Sequence, residues 1–316
     1  MSDAFEDEIW PHFAPLWTDL RGVSPGLLLA GGYGLFLKQR WLQSKVKFLA
    51  TEKGQLLVTE TGARLIAEDG IKSLVGISDW LDQNPRVTKD MDFIVELNII
   101  ASPTDQQKLH NVLEAHIFKV VVGNARWQFE KHLDAHRRVV LDFLSPSPAG
   151  SRNDLRVEAP RVKPKPSLKN VGIHGRETTE AVGCSLHPFS FVFNDLEITI
   201  PNAVTLTIMK LAAMRDQWQI SQTSAETPDQ RRKADFDARK HAIDVCRVLA
   251  MMTREENDQA KNVLNAIRTT PVFTDAVQIY KEFFERDEGW GTRVIVGNWQ
   301  TRDFQSIRSV LAAWLC

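Results

Sequence analysis

The sequence predicts an α+β fold, with strands and helices interspersed up to about residue 200 and helices alone after it. Three observations carry this. Asp90–Leu97 and Arg137–Leu144 alternate apolar and polar residues, the period of a half-buried strand. Leu27–Ala30 is a short apolar run that ends in Gly31-Gly32, a strand-to-helix corner. From about 202 onward, apolar residues recur at spacings of three and four, as on amphipathic helices. The expected division is a sheet domain over 1–200 and a helical domain over 201–316.

Bulk properties narrow the class. The chain has 316 residues, 43% hydrophobic and 25% charged, as in an ordinary globular protein. A net charge of −1 gives no global attraction to nucleic acid, so an acidic partner needs a local basic patch. Cys184, Cys246 and Cys316 are widely spaced and odd in number, which argues against a disulfide framework or a cysteine metal site. The acidic stretch Met1–Asp7 lacks the layout of a secretory signal. No apolar run approaches the roughly 20 residues needed to span a bilayer. The expected location is the cytoplasm, with no membrane partner.

Taken in order, Phe5, Ile9, Trp10, Phe13, Leu16, Trp17 and Leu20 form a helical stripe interrupted by Pro11 and Pro15. Next, Gly31-Gly32 opens a helix expected to reach about Leu42. Backbone N–H groups at such a corner can approach an anion closely, and the helix N-terminus favours one. An ordinary tight turn uses the same glycines. The pattern is neither G-x-G-x-x-G nor a P-loop. Lys45–Leu49, Gln55–Thr59 and Ala63–Ala67 read as short strands, and Ile71–Leu81 as a helix, within an insertion over about 43–85.

In the strand that begins at Asp90, Asp90 and Asp92 point to one face, and Met91, Phe93 and Val95 to the other. Two like charges about 7 Å apart along a strand invite a hard cation with oxygen ligands. A plain exposed strand also carries such acids. Pro103–His116 reads as a helix with Thr104 as N-cap, and His110 and His116 as ordinary packing or surface residues. Strands follow at Phe118–Val122, Trp127–Glu130 and Arg137–Leu144, the last presenting Asp142 on its polar face. Residues 145–176 are rich in proline and in Arg152, Arg156, Arg161, Lys163, Lys165, Lys169 and Arg176. They read as a long loop, either a cationic track for a nucleic-acid backbone or a solvated linker. Phe189–Val192 and Glu197–Ile200 flank Asn194-Asp195 as a hairpin.

Asn202 caps a helix running to about Gln219, with Lys210 in its middle and Arg215 behind it. Lys210 either snorkels to water or supplies a point charge to a phosphate. Ser221–Lys233 reads as a polar connector. Helices then follow at about 234–252, 254–268, 273–286 and 300–315. Lys240 and Asp244 are one helical turn apart, as in a surface ion pair.

Gly31-Gly32, Asp90-x-Asp92, Lys210 and Lys240-x-x-x-Asp244, in that order, resemble the nucleotidyltransferase superfamily of the DNA polymerase beta type. More narrowly, they are similar to the AbiEii/AbiGii-type toxins, including MenT-like transferases. The resemblance implies a mixed sheet flanked by helices, then a C-terminal helical bundle. It implies transfer of a nucleotide monophosphate from a nucleoside triphosphate to an acceptor hydroxyl on an RNA end, such as tRNA, or on a protein. Asp90 and Asp92 would be catalytic and hold Mg²⁺ or Mn²⁺, with Asp142 as a third ligand. Gly31, Gly32, Lys210, Arg215 and Lys240 would bind nucleotide, and Lys210 and Asp244 would join the catalysis. The protein would act as a toxin-like effector restrained by an antitoxin. The gap between the glycine pair and Asp90 is longer than in that family, and Asp142 and Asp244 compete as third acid. Two other readings stay open, a non-catalytic RNA-binding module and a phosphohydrolase using the same acids.

Overall fold

The computed structural model describes residues 7–53, 58–59, 62–63, 90–124, 126–148, 150, 152–168, 172–224, 227–298 and 301–316. They form a mixed sheet with flanking helices and a set of C-terminal helices. The chain forms two compact units. One takes Met1–Lys38, Pro85–Ala181 and Pro188–Pro201; the other takes Gln39–Asn84, Val182–His187 and Asn202–Cys316. The described residues between 39 and 63 thus group with the helical unit, and the sheet unit is discontinuous in sequence.

In the sheet unit, α1 (Trp10–Val23) tolerates Pro11 because a first-turn N–H has no helical partner. β1 (Leu28–Ala30) runs into α2 (Gly31–Lys53). The expected strand at Lys45–Leu49 is the continuation of this helix, so a β-branched, apolar tract yielded to helix propagation. The minimal hairpin of β2 (Val58–Thr59) and β3 (Gly62–Ala63), which belongs to the helical unit, follows in the chain. The expected helix at Ile71–Leu81 lies outside the described residues.

β4 covers Asp90–Ile94. The alternation was expected to run to Leu97, but Leu97 opens the short helix α3 (Leu97–Ala101). α4 (Pro103–Ala115) is capped by Ser102, whose hydroxyl accepts from the Asp105 N–H at 3.3 Å, and not by Thr104. β5 (Lys119–Val120), β6 (Gln128–His132) and β7 (Arg138–Ser145) follow.

The expected loop over 145–176 is instead partly sheet: β8 (Leu155–Glu158), β9 (Arg161–Pro164) and β10 (Gly175–Glu177). Leu155-Arg156-Val157-Glu158 and Arg161-Val162-Lys163 do alternate, but each run is too short to stand out among prolines and cations. The strand order is β1-β4-β7-β10-β9-β8, with β6 on the same edge of β7 as β10 and β5 beyond β6. The β4–β7 and β7–β10 pairs are parallel and the rest antiparallel. A separate hairpin of β11 (Phe189–Phe193) and β12 (Leu196–Ile200) turns at Asn194-Asp195, with φ of 48° and 61°, as a primed turn requires.

One sheet face is hydrocarbon. Met91, Phe93, Val139, Leu141, Phe143 and Val162 are buried there. The Phe93 ring lies 6.5 Å from Phe13 and 5.8 Å from Trp17 of α1, and 6.0 Å from Phe143. Each buried large apolar side chain contributes about 1.5–3 kcal/mol. With one face fixed this way, period-2 geometry sends the aspartates to the other.

In the helical unit, α5 (Ala203–Gln219) is capped as expected: Asn202 Oδ1 accepts from the Thr205 N–H at 2.8 Å. The Asn202 amide also donates to the Gly183 and Leu186 carbonyls. In place of a plain connector, a π-helical turn (Ile220–Ser224) precedes α6 (Pro228–Ala250), which opens on a Thr227/Gln230 capping box. α7 (Arg254–Ile267), α8 (Pro271–Phe283), α9 (Trp290–Val296) and α10 (Thr301–Leu315) complete it. α9 was not expected: seven residues are too few to establish a helical period. Among the described residues, no helix is long and apolar enough to cross a membrane.

Candidate active site

The strand register gathers the sequence-predicted carboxylates of the sheet unit. Ala30 of β1 pairs with Asp92 of β4, and Asp92 pairs with Asp142 of β7. Directly paired residues share a sheet face, and residues two apart on a strand do too. Asp90, Asp92 and Asp142 therefore occupy one face of two adjacent parallel strands. The next residue after Ala30 is Gly31, with φ of +66° at the mouth of α2. A Cβ built on Gly31 would lie 1.7 Å from Oδ2 of Asp92. The carboxylate occupies the space a side chain would need, so glycine at 31 is required by contact as well as by φ. The glycine corner and Asp92 thus touch at Gly31.

Asp142 is half-buried. Burial raises its pKa above the ordinary 3.8, the Gln128 side chain opposes that by hydrogen bonding, Asp90 raises it further and Arg176 lowers it. Gln128 is the β6 residue paired with Asp142, and its Oε1 accepts from the Asn124 amide. Gln128 thus stands between Asn124 and the carboxylate. The other Asp142 oxygen, Oδ1, is buried and has no hydrogen-bond partner. An acceptor in that state is a position where a cation or a donor would be accommodated.

The residue set suits a divalent cation in kind: carboxylate oxygens, like-charged, on strands held in register. Among the described residues, however, no three His, Cys, Asp or Glu side chains already converge as ligands.

The helical unit treats its predicted residues differently. Lys210 was expected either to snorkel or to present a free point charge. It is 7% exposed, and its Nζ lies 3.0 Å from Asp244 Oδ2. Asp244 is 1% exposed, and Arg247 Nη1 lies 3.6 Å from its Oδ1. Arg247 also donates to Gln39 Oε1 at 2.7 Å. The expected Lys240–Asp244 surface pair does not form. Lys240 lies 3.8 Å from Asp237, and Asp244 turns inward to α5. Arg215 is held by Asp275 of α8 and by Asp216. Each predicted cation of this unit has an acid beside it.

Sequence reasoning missed Gln128, Arg247 and Gln39, and placed Arg176 in a loop and not beside Asp142. Arg247 was within reach, since it follows Asp244 by three residues on a helix. The others depend on strand register and on packing between distant segments, which no local pattern encodes. A cleft of about 540 Å³ lies between the start of α1 and the end of β6, lined by residues that include His12, Lys131 and Arg137. None of the three carboxylates lines it.

No protein-family model, curated protein or solved structure matches this chain.

Proposed function

We propose that the protein is a metal-dependent nucleotidyltransferase of the DNA polymerase beta type, moving a nucleotide monophosphate from a nucleoside triphosphate to an acceptor hydroxyl on RNA. The observation that carries the reading is the junction of Gly31, at the mouth of α2, with Asp92, whose strand neighbour is Asp142. Asp90, Asp92 and Asp142 would hold the cation. A bound Mg²⁺ or Mn²⁺ would act as a Lewis acid on the reacting phosphate and offset the charge of these acids.

The acceptor oxygen forms a bond to the α-phosphorus, the bond to the bridging oxygen breaks, and pyrophosphate departs. The hydroxyl proton would pass to water, since the three carboxylates are engaged with the cation. The N–H groups at the start of α2 would receive phosphate oxygens. Because Asp92 already faces that corner, nucleotide binding is expected to require the divalent ion. Lys210 and Asp244 enter the reading as a buried pair in the helical unit, not as free catalytic charges. In cells the activity would make the protein a toxin-like effector, held in check by a separate antitoxin.

Incubation of the full chain with each labelled triphosphate, Mg²⁺ and total RNA tests this. Asp92→Asn should reduce incorporation by on the order of 10²-fold or more, the equivalent of the several kcal/mol a metal site supplies. The variant should stay folded. Undiminished incorporation by Asp92→Asn would exclude this site.

A further inference from the structure

The strand register continues the carboxylate face into a basic one. Arg176 of β10 pairs with Leu144 of β7, two residues along from Asp142. Arg161 of β9 pairs with Arg176, and Glu158 of β8 with Arg161. Arg156 of β8 pairs with Lys163 of β9. By the pairing rule all five residues lie on the face that carries Asp90, Asp92 and Asp142. The reverse face confirms the parity: Leu155, Val162 and Gly175 are buried. At about 4.8 Å between strands, the row from β7 to β8 is roughly 15 Å wide.

Three of the four cations in this row pair with its one acid. Glu158 lies 2.9 Å from Arg156 and 2.8 Å from Lys163, and it also pairs with Arg161. Hydrogen bonds from Lys163 and Arg161 hold its pKa at about 2, so it stays ionised at working pH. The Arg156 side chain is 62% exposed, and Arg176 is exposed beside the carboxylates. The row therefore keeps a surplus of positive charge in a chain whose net charge is −1. Among the described residues, the five of this row include no aromatic ring on which a base would stack.

We infer that Arg156, Arg161, Lys163 and Arg176 form a track for the phosphate backbone of RNA, leading along the sheet to Asp142. Charge complementarity selects a polyanion, and the absence of stacking rings selects backbone over base. Binding is therefore salt-dependent and indifferent to sequence. That this RNA is the acceptor rests on the nucleotidyltransferase reading; the track itself does not.

The test is fluorescence anisotropy of the full chain with labelled single-stranded RNA of about twenty nucleotides, in a mixed and a uridine-only sequence, across a salt series. Arg156→Ala with Arg176→Ala should weaken binding on the order of tenfold and flatten the log–log salt slope by about 1.4, near 0.7 per lost phosphate contact. Arg156→Lys with Arg176→Lys, which keeps the charge, should bind nearly as the parent does. Glu158→Gln should bind more tightly. Asp92→Asn should bind RNA undiminished.

An unchanged affinity and slope in the double alanine variant would overturn the track. So would equal loss in the lysine variant, or binding of polyglutamate as tight as that of RNA. The two readings separate cleanly. Arginine-dependent RNA binding without any nucleotide transfer by the parent chain removes the enzyme and leaves the track. Undiminished transfer to an RNA end by the double alanine variant removes the track and leaves the enzyme.

Discussion

Asp142 and Asp244 are the same residue type, both withdrawn from water, and the protein handles them in opposite ways. Asp244 sits between Lys210 and Arg247 in the helical unit. Asp142 sits in the sheet unit with the neutral amide of Gln128 on one side, the like charge of Asp90 nearby and the exposed Arg176 as an opposing charge. Burying a carboxylate costs several kcal/mol unless an opposite charge offsets it. In the helical unit that offset is built in. In the sheet unit it is left incomplete, which is how sites that recruit a cation or a proton differ from architectural ion pairs. The resemblance left the two competing as third acid, Asp142 as a metal ligand and Asp244 in catalysis; the partners each one has separate them.

The sharpest way to break this contrast is to remove one side of the helical pair. Lys210→Ala should cost about 3–5 kcal/mol in urea unfolding, since it strands a buried carboxylate. Lys210→Met with Asp244→Leu should recover most of that loss. If the double variant folds and still transfers nucleotide, the pair is architecture alone. A fully folded single variant of parental stability would instead mean that the pair is dispensable, and the contrast fails.

Next in size is Gly31→Ala. The left-handed φ costs about 1–2 kcal/mol for a residue with a Cβ, and the added atom must displace Asp92. Chemical denaturation should show at least that loss, with nucleotide binding lost alongside it. Asp142→Asn should act in the opposite direction. The folded pKa of Asp142 lies above its ordinary value, so between the two the folded state holds more protons than the unfolded one. Stability from this group therefore falls as pH rises through that window and stays lowered above it. The asparagine variant should melt at a higher temperature than the parent near pH 7, and the advantage should vanish below about pH 4. Equal melting curves at every pH would remove the argument for an uncompensated charge. The smallest effect belongs to Lys240→Ala, whose half-exposed partner Asp237 makes the pair worth about 0.2–0.5 kcal/mol. A large loss of stability there would show that the outward face of α6 matters more than its geometry suggests.

Much of the local structure was legible in the chain. The strand–glycine–helix corner at 28–32, the two-faced strands at 90–94 and 138–145, the Asn194-Asp195 hairpin and the Asn202 cap are all written in side-chain period, turn chemistry or capping geometry. These signals act within a few residues, so sequence alone determines them. It also placed Asp90, Asp92 and Asp142 on polar strand faces. Only the tertiary structure decided which strands are neighbours, and so that Asp92 lies beside Asp142, that Gln128 supports it, and that the basic residues of 155–176 extend the same sheet. It likewise decided that Asp244 answers Lys210 on another helix and not Lys240 on its own. The reason is physical: propensity and capping are local energies, whereas the charge state and partners of a buried group depend on which distant segments the core brings against it.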